Sequence, residues 1–145
     1  MLDIDLNAAF GLAGQAAMIG WVILMFLPRR WKYLNWIPHF IIPFGLSILY
    51  VTLFLPTFWT IEGGGFGSLE QVKTLLSNDA ALLAGWVHYL AFDLFIGAWI
   101  AHRSDEIGLS RILQFPILLA TFMMGPAGLL AFLCLRSFYK KELSV

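Results

Sequence analysis

Charge is what this sequence has least of. Only 12% of its 145 residues are Asp, Glu, Lys or Arg, against about 25% in soluble domains. That shortage excludes an ordinary water-facing surface around the whole chain. The nine basic and nine acidic residues cancel, and no basic cluster builds a nucleic-acid surface. Cysteine is nearly missing as well. Cys134 stands alone, which excludes an intrachain disulfide and argues against a Cys-based metal site; it reads as a structural thiol in an apolar helix. The glycines of "EGGGFGSLEQ" lack the Gly-Lys-Ser/Thr of a phosphate loop, so nucleotide binding is excluded. There are no internal repeats and no charged path, which weighs against a small transporter.

What the sequence has instead is apolar length. Hydrophobic residues make up 60% of it. Four stretches, roughly 8–27, 36–55, 80–101 and 112–135, can each cross about 30 Å of hydrocarbon as a helix. The expected fold is all-α: one integral membrane domain over 1–145, a four-helix bundle. The first stretch follows Asp3 and Asp5 rather than a basic n-region, and it is too long for a signal peptide. It is therefore expected to be retained. No Ser/Arg-rich transit segment precedes it, so the chain is expected to be bacterial or already processed, in a bacterial cytoplasmic (or thylakoid) membrane.

Local signals fill in the connections. Pro43 lies inside the second stretch and predicts a kink, and Pro56 is expected to close that helix. Ser68 and Gln71 have capping-box spacing, and Leu69, Val72, Leu75 and Leu76 share a face. A short amphipathic helix on the bilayer surface is therefore predicted over 68–77 in the second loop. Asn78 or Asp79 can cap the third helix. Residues 102–111 read as a loop, and Pro126 as a bend in the fourth helix. With four spans, Arg29, Arg30, Lys32, Arg103 and Arg111 gather on one side. Lys73, Arg136, Lys140 and Lys141 gather on the other. The dense first loop favours termini outside the cytoplasm, while the basic C-terminus opposes that orientation.

Polar residues inside the spans are the candidates for function. Depth counted at about 1.5 Å per residue puts Gln15, His88, Asp93 and Thr121 in one midplane layer. A second layer, toward the 28–32 loop, holds His39, Gln114, His102, Arg103, Asp105 and Glu106. Its His-and-acid cluster lacks a spaced partner set, and no metal site is expected. On the third helix, Tyr89 and Asp93 are neighbours, with Trp86 on the same stripe. His88 points away with Phe92, Phe95 and Trp99, so it cannot pair with Asp93 on its own helix. An ionised Asp at the bilayer centre costs about 2.5–3.5 kcal/mol. A carboxyl group there stays neutral unless paired, and a neutral acid can donate a proton to a reacting group. The opposing reading is structural: Asp93 hydrogen-bonds Tyr89, Thr121 or Gln15 and fixes helix packing. Asp93 and His88 are the candidate catalytic residues. Gln15, Tyr89, Thr121, Gly125 and Gly128 are the candidate substrate-binding residues, the two glycines because they let a flat ligand approach. Thirteen Phe, six Trp and four Tyr suit a long, flat, apolar ligand, although membrane bundles use such residues in any case.

Three quoted segments carry a resemblance: "GWVHYLAFDLFIGAWI", the "DEIG" turn and "PILLATFMMGPAGLL". Together they resemble the ABA4-like family (ABA DEFICIENT 4-like) of small four-span membrane proteins. Its plant founder is required for neoxanthin formation from violaxanthin. The likeness runs from about residue 10 onward and is strongest over 85–130. The positions that match are His88, Asp93, Asp105, Pro116, Gly125, Pro126 and Gly128. The resemblance implies a carotenoid or related isoprenoid ligand and a redox-neutral isomerisation without a cofactor. In such a reaction an acid opens an epoxide, and a base removes a proton from the adjacent chain carbon to form an allene. The expected function is thus an end-group isomerase of isoprenoid metabolism. The alternative is a pigment- or lipid-binding protein that presents its ligand to a partner. The expected partners are the ligand and the bilayer, with self-association left open.

Overall fold

The computed structural model describes residues 4–28 and 30–142, and the side chains of these except Lys32, Lys140, Lys141 and Glu142. It is helical, with no strand among the described residues. Helix α1 spans Leu6–Phe26 and is capped by Asp5, whose carboxylate accepts from the Asn7 and Ala8 N–H groups at 2.9 and 3.2 Å. A short α2 (Lys32–Trp36) leads into a π-helical turn (Ile37–Ile41) and then α3 (Ile42–Phe58). The irregularity has a local cause. Pro43 cannot donate to the carbonyl of His39 and its ring would crowd it. The turn before it widens, and the Ile42 N–H reaches back to the Ile37 carbonyl. Pro56 does not close the helix as expected; it sits inside the last turn, which runs on to Phe58.

A short helix, α4 (Leu69–Leu76), follows the glycine-rich turn. The Ser68 Oγ accepts from the Gln71 N–H at 3.2 Å, and the Gln71 Oε1 accepts from the Gly67 N–H at 3.0 Å. This is the reciprocal cap that the spacing called for, shifted by one residue on the return bond. Asn78 then caps α5 (Asp79–Glu106) through the Ala80 and Ala81 N–H groups. Helix α5 outruns its expected end at 101, so His102, Arg103, Asp105 and Glu106 are helical rather than in a loop. The last turn is held by Arg103–Glu106 at 2.6 Å and His102–Glu106 at 3.3 Å, an i,i+3 and an i,i+4 pair.

Helix α5 is the axis of the molecule. Leu94, Ile100 and Ala101 lie in a core with Trp21, Leu24, Leu118 and Phe132. Ala84, Val87 and Ala91 lie in a second core with Ala13, Ala17 and Leu53. Contacts along α5 give the helix directions. Phe10 stacks on Trp86 and Trp21 meets Gly97, so α1 runs parallel to α5. Tyr50 faces His88 and His39 faces His102, so α3 runs antiparallel to it. Three helical stretches, Leu6–Phe26, Tyr33–Phe58 and Asp79–Glu106, are long and apolar enough to cross a membrane.

The fourth apolar stretch departs from expectation. It is not one span over 112–135 but two shorter helices, α6 (Arg111–Met124) and α7 (Pro126–Glu142), broken at Gly125. Helix α7 folds back. Gly128 lies against Thr121, Phe132 meets Trp99 with ring centroids 5.5 Å apart, and the charge of Arg136 acts on Glu106. Helix α6 thus runs from the Glu106 end of α5 to its middle, and α7 returns toward the Glu106 end. Pro126 brings no N–H to continue α6, and the side-chain-free Gly125 and Gly128 allow the close approach.

Folding back changes where the charges lie. Arg30, Lys32, Arg103, Arg111, Arg136, Lys140 and Lys141 all belong to chain segments at one end of the helices. Of the described basic residues, only Lys73 is at the other end.

Candidate functional site

Asp93 sits halfway along α5, at the tip of the α6–α7 hairpin. It is half-buried, and its Oδ2 is fully enclosed with no hydrogen-bond partner. Gly125 faces it so closely that a Cβ at position 125 would overlap the carboxyl group. Tyr89 stands beside Asp93, one helical turn earlier, and its hydroxyl donates to the Met123 carbonyl at 3.4 Å. That carbonyl is free because the helix breaks there. In a continuous helix it would accept from Ala127, and the break at Gly125–Pro126 removes that bond. The sequence stripe Trp86–Tyr89–Asp93 therefore meets an orphaned carbonyl that the spacing alone did not reveal.

Below the hairpin tip the site opens. Phe10 stacks on Trp86 with centroids 5.9 Å apart, and Trp86 stacks on Tyr89 at 5.5 Å. The α1–α5 groove at Trp86 has a volume of about 550 Å³ and is lined by Leu6, Asn7, Phe10, Asp79, Leu82 and Leu83. An aromatic ladder thus leads from one end of the molecule to Tyr89 and the Asp93 carboxyl.

The other proposed site residues are placed apart from this point. His88 is exposed toward α3, stacked on Phe92 at 4.5 Å and tilted against Tyr50 at 5.6 Å. It lines a separate hollow of about 200 Å³ under α4 with Phe54, Phe66, Val72 and Leu75. So His88 and Asp93 lie on different faces of α5, as their spacing requires, and are not brought together. Thr121 is fully buried and donates to the Ile117 carbonyl of its own helix at 2.8 Å. Gly128 packs on it, so neither one lines the open groove. Gln15 shares the depth of Asp93 but is exposed on the far side of α1.

The second polar layer is a structural joint. The Gln114 Nε2 donates to Asp105 Oδ1 at 2.8 Å and to the Leu109 carbonyl at 2.7 Å, which ties the α5–α6 turn. Arg111 donates to the Met25 and Leu27 carbonyls at 2.9 and 3.2 Å, capping the C-terminus of α1. The His39 Nδ1 donates to the Asn35 carbonyl at 2.8 Å, and its ring meets His102 edge-on, with centroids 6.5 Å apart. Among the described residues no group of three or more His, Cys, Asp or Glu is placed to hold a metal ion.

The ABA DEFICIENT 4-like family matches residues 8–132, a stretch that holds the Asp93 site, both glycines of the hairpin and the His88 hollow. No curated protein and no solved structure matches the chain. With most of its length covered by that one match, the chain belongs to the ABA DEFICIENT 4-like family.

Proposed function

We propose that this protein works within a membrane on an elongated apolar isoprenoid of the carotenoid class, as a redox-neutral end-group isomerase with Asp93 as its acid. The observation that carries this is the enclosed, partnerless Asp93 Oδ2 at the head of the Phe10–Trp86–Tyr89 ladder. In the proposed arrangement α1, α2–α3 and α5 cross the bilayer, α4 lies on its surface, and α6–α7 is a re-entrant hairpin. Non-straight backbone at membrane depth is tolerated where protein surrounds it, as at Gly125. The end rich in Arg and Lys is the cytoplasmic one.

Magnitudes decide the resting state of the acid. Helix α7 starts at Pro126, next to the glycine facing Asp93, so the positive end of its dipole is close. Such an end favours a carboxylate by about 0.3–2 kcal/mol. Holding an ionised Asp at this depth costs about 2.5–3.5 kcal/mol. The neutral acid wins at rest, yet the dipole eases the carboxylate that forms once the proton is given up. For an epoxide end group, that proton goes to the epoxide oxygen as a C–O bond breaks. The resulting carboxylate then takes a proton from the adjacent chain carbon, so acid and substrate end with their original proton count. His88, across the helix, has no part in this step. Pigment conversion in a carotenoid-producing host tests the reading. Asp93→Asn should lower conversion about 10²–10⁴-fold per folded protein; full conversion by that variant sinks it.

A second reading is a binding protein that presents its ligand to a partner, and the α3–α5 seam favours it. A groove of about 300 Å³ is lined by Phe40, Phe44 and Phe92, and His88, stacked on Phe92 and tilted against Tyr50, lines the hollow under α4. Pigment that co-purifies with the chain yet is never converted by it would select this reading.

A further inference from the structure

Gln15 is a polar side chain for which the described fold supplies no partner. It lies nine residues from the start of α1 and eleven from its end, near the middle of a helix long and apolar enough to cross a membrane. At about 100° per residue it points nearly opposite to the stripe of Ala9, Ala13, Ala17 and Gly20 that packs inward. It is exposed, and it makes no hydrogen bond among the described residues. A primary amide has two N–H donors and a two-lone-pair carbonyl, and hydrocarbon can satisfy none of them.

The surface around it has a pattern. Gly11, Gln15, Met18 and Val22 follow 4-3-4 spacing, which gives a narrow seam along one face of a helix. A Cβ built on Gly11 would meet no atom within 4 Å, so the backbone there is open to close approach. Met18 and Val22 are about half exposed.

We infer that this seam of α1 docks on the same seam of a second copy of the chain, with the two Gln15 amides hydrogen-bonded across a two-fold axis. An amide is self-complementary, because its donors fit the acceptor of an identical amide in inverted orientation. A two-fold contact brings like residues together, so a second copy supplies the missing partner at the right depth. A lipid chain offers no hydrogen bond, and the headgroups lie about 14 Å away along the helix. This inference rests on α1 crossing a bilayer and not on Asp93 or on any ligand. Retention in the membrane after alkaline extraction checks that premise separately.

The test is disulfide crosslinking of the full chain in native membranes, in a Cys134→Ser background. Cysteines at positions 11, 15, 18 and 22 should link two copies. Cysteines at Leu12 and Ala16 should not, although Leu12 is 67% exposed. In a resonance-energy-transfer assay in vesicles, Gln15→Leu should weaken association about 3- to 30-fold, and Gln15→Asn should recover most of it. Crosslinking without this periodicity, or association unchanged in Gln15→Leu, overturns the inference. The result would then assign the amide to a lipid or ligand. If Gln15→Leu does not accumulate, the cysteine series decides alone.

Discussion

Replacing Gly125 by alanine tests the arrangement at the hairpin tip directly. The added methyl would lie 2.8 Å from the Asp93 Cγ and 2.9 Å from Oδ2, and closer still to Oδ1. Ordinary carbon contacts are about 3.5–4.0 Å. Something must move: either the short Asp93 side chain turns away from Tyr89, or the tip lifts off α5. Overpacking of this kind costs about 1–3 kcal/mol. For a domain of this size that corresponds to a drop of about 2–12 °C in the midpoint of thermal unfolding. Fluorescence-detected unfolding of detergent-solubilised protein reads it. The reasoning names the carboxyl as the obstacle, so it also predicts a coupling. In an Asp93→Ala background the same glycine replacement should cost close to nothing, because the space is already empty. The full double-mutant cycle is needed, since the two positions touch. An equal loss from Gly125→Ala in both backgrounds would show that the backbone break, and not the carboxyl, sets the cost.

Other outcomes follow from other joints. Arg111→Met removes two charge-assisted bonds to the end of α1 at an exposed position; it should lower stability by about 1 kcal/mol, measured in the same unfolding assay, and Arg111→Lys should recover only part of it. Tyr89→Phe leaves the Met123 carbonyl unpaired and should cost about 1–3 kcal/mol; a loss no larger than that of an exposed Phe replacement would count against the tip geometry. In Cys134→Ser protein in sealed vesicles, a membrane-impermeant maleimide should label cysteines at Ser110 and Ser137 from one side and at Ser68 from the other. Labelling of positions 110 and 137 from opposite sides would restore a fourth span.

Much of the fold was legible because its signals are local. The three long helices follow from apolar length, α4 from the Ser68–Gln71 spacing, and the start of α5 from Asn78. The opposite faces of Asp93 and His88 follow from helical geometry alone. The hairpin was not legible. Gly-Pro within an apolar run marks a bend, but whether the bend is a kink or a reversal depends on distant partners. Gly128 against Thr121, Phe132 against Trp99 and Arg136 near Glu106 decide it, and none of these pairs has a sequence spacing that announces it. Helix α5 runs past its expected end for a related reason. Residues 102–106 are polar enough to read as a loop, and the pairs that Glu106 makes with His102 and Arg103 keep them helical. The count from the helix ends places Gln15 near the middle of α1. Its outward direction follows from the small-residue stripe at Ala9, Ala13, Ala17 and Gly20, which is the packing face of α1.

The hairpin also bears on the one conflict left by counting charges along the chain. A four-span reading divides the basic residues five against four, which gives orientation almost no leverage. Returning α7 to the Glu106 end moves Arg136, Lys140 and Lys141 across, and Lys73 is left nearly alone. Positive charges near span ends hold their loops in the cytoplasm, so the same fold that brings Gly125 onto Asp93 also supports the proposed orientation. It has a consequence for the ligand as well. A hairpin that stops at the middle of α5 leaves the opposite half of that face without a helix. The Phe10–Trp86–Tyr89 ladder occupies that half. In the proposed orientation the groove opens to the non-cytoplasmic leaflet, and under the proposed function the isoprenoid would enter from there until its end group meets Tyr89 and the hairpin tip.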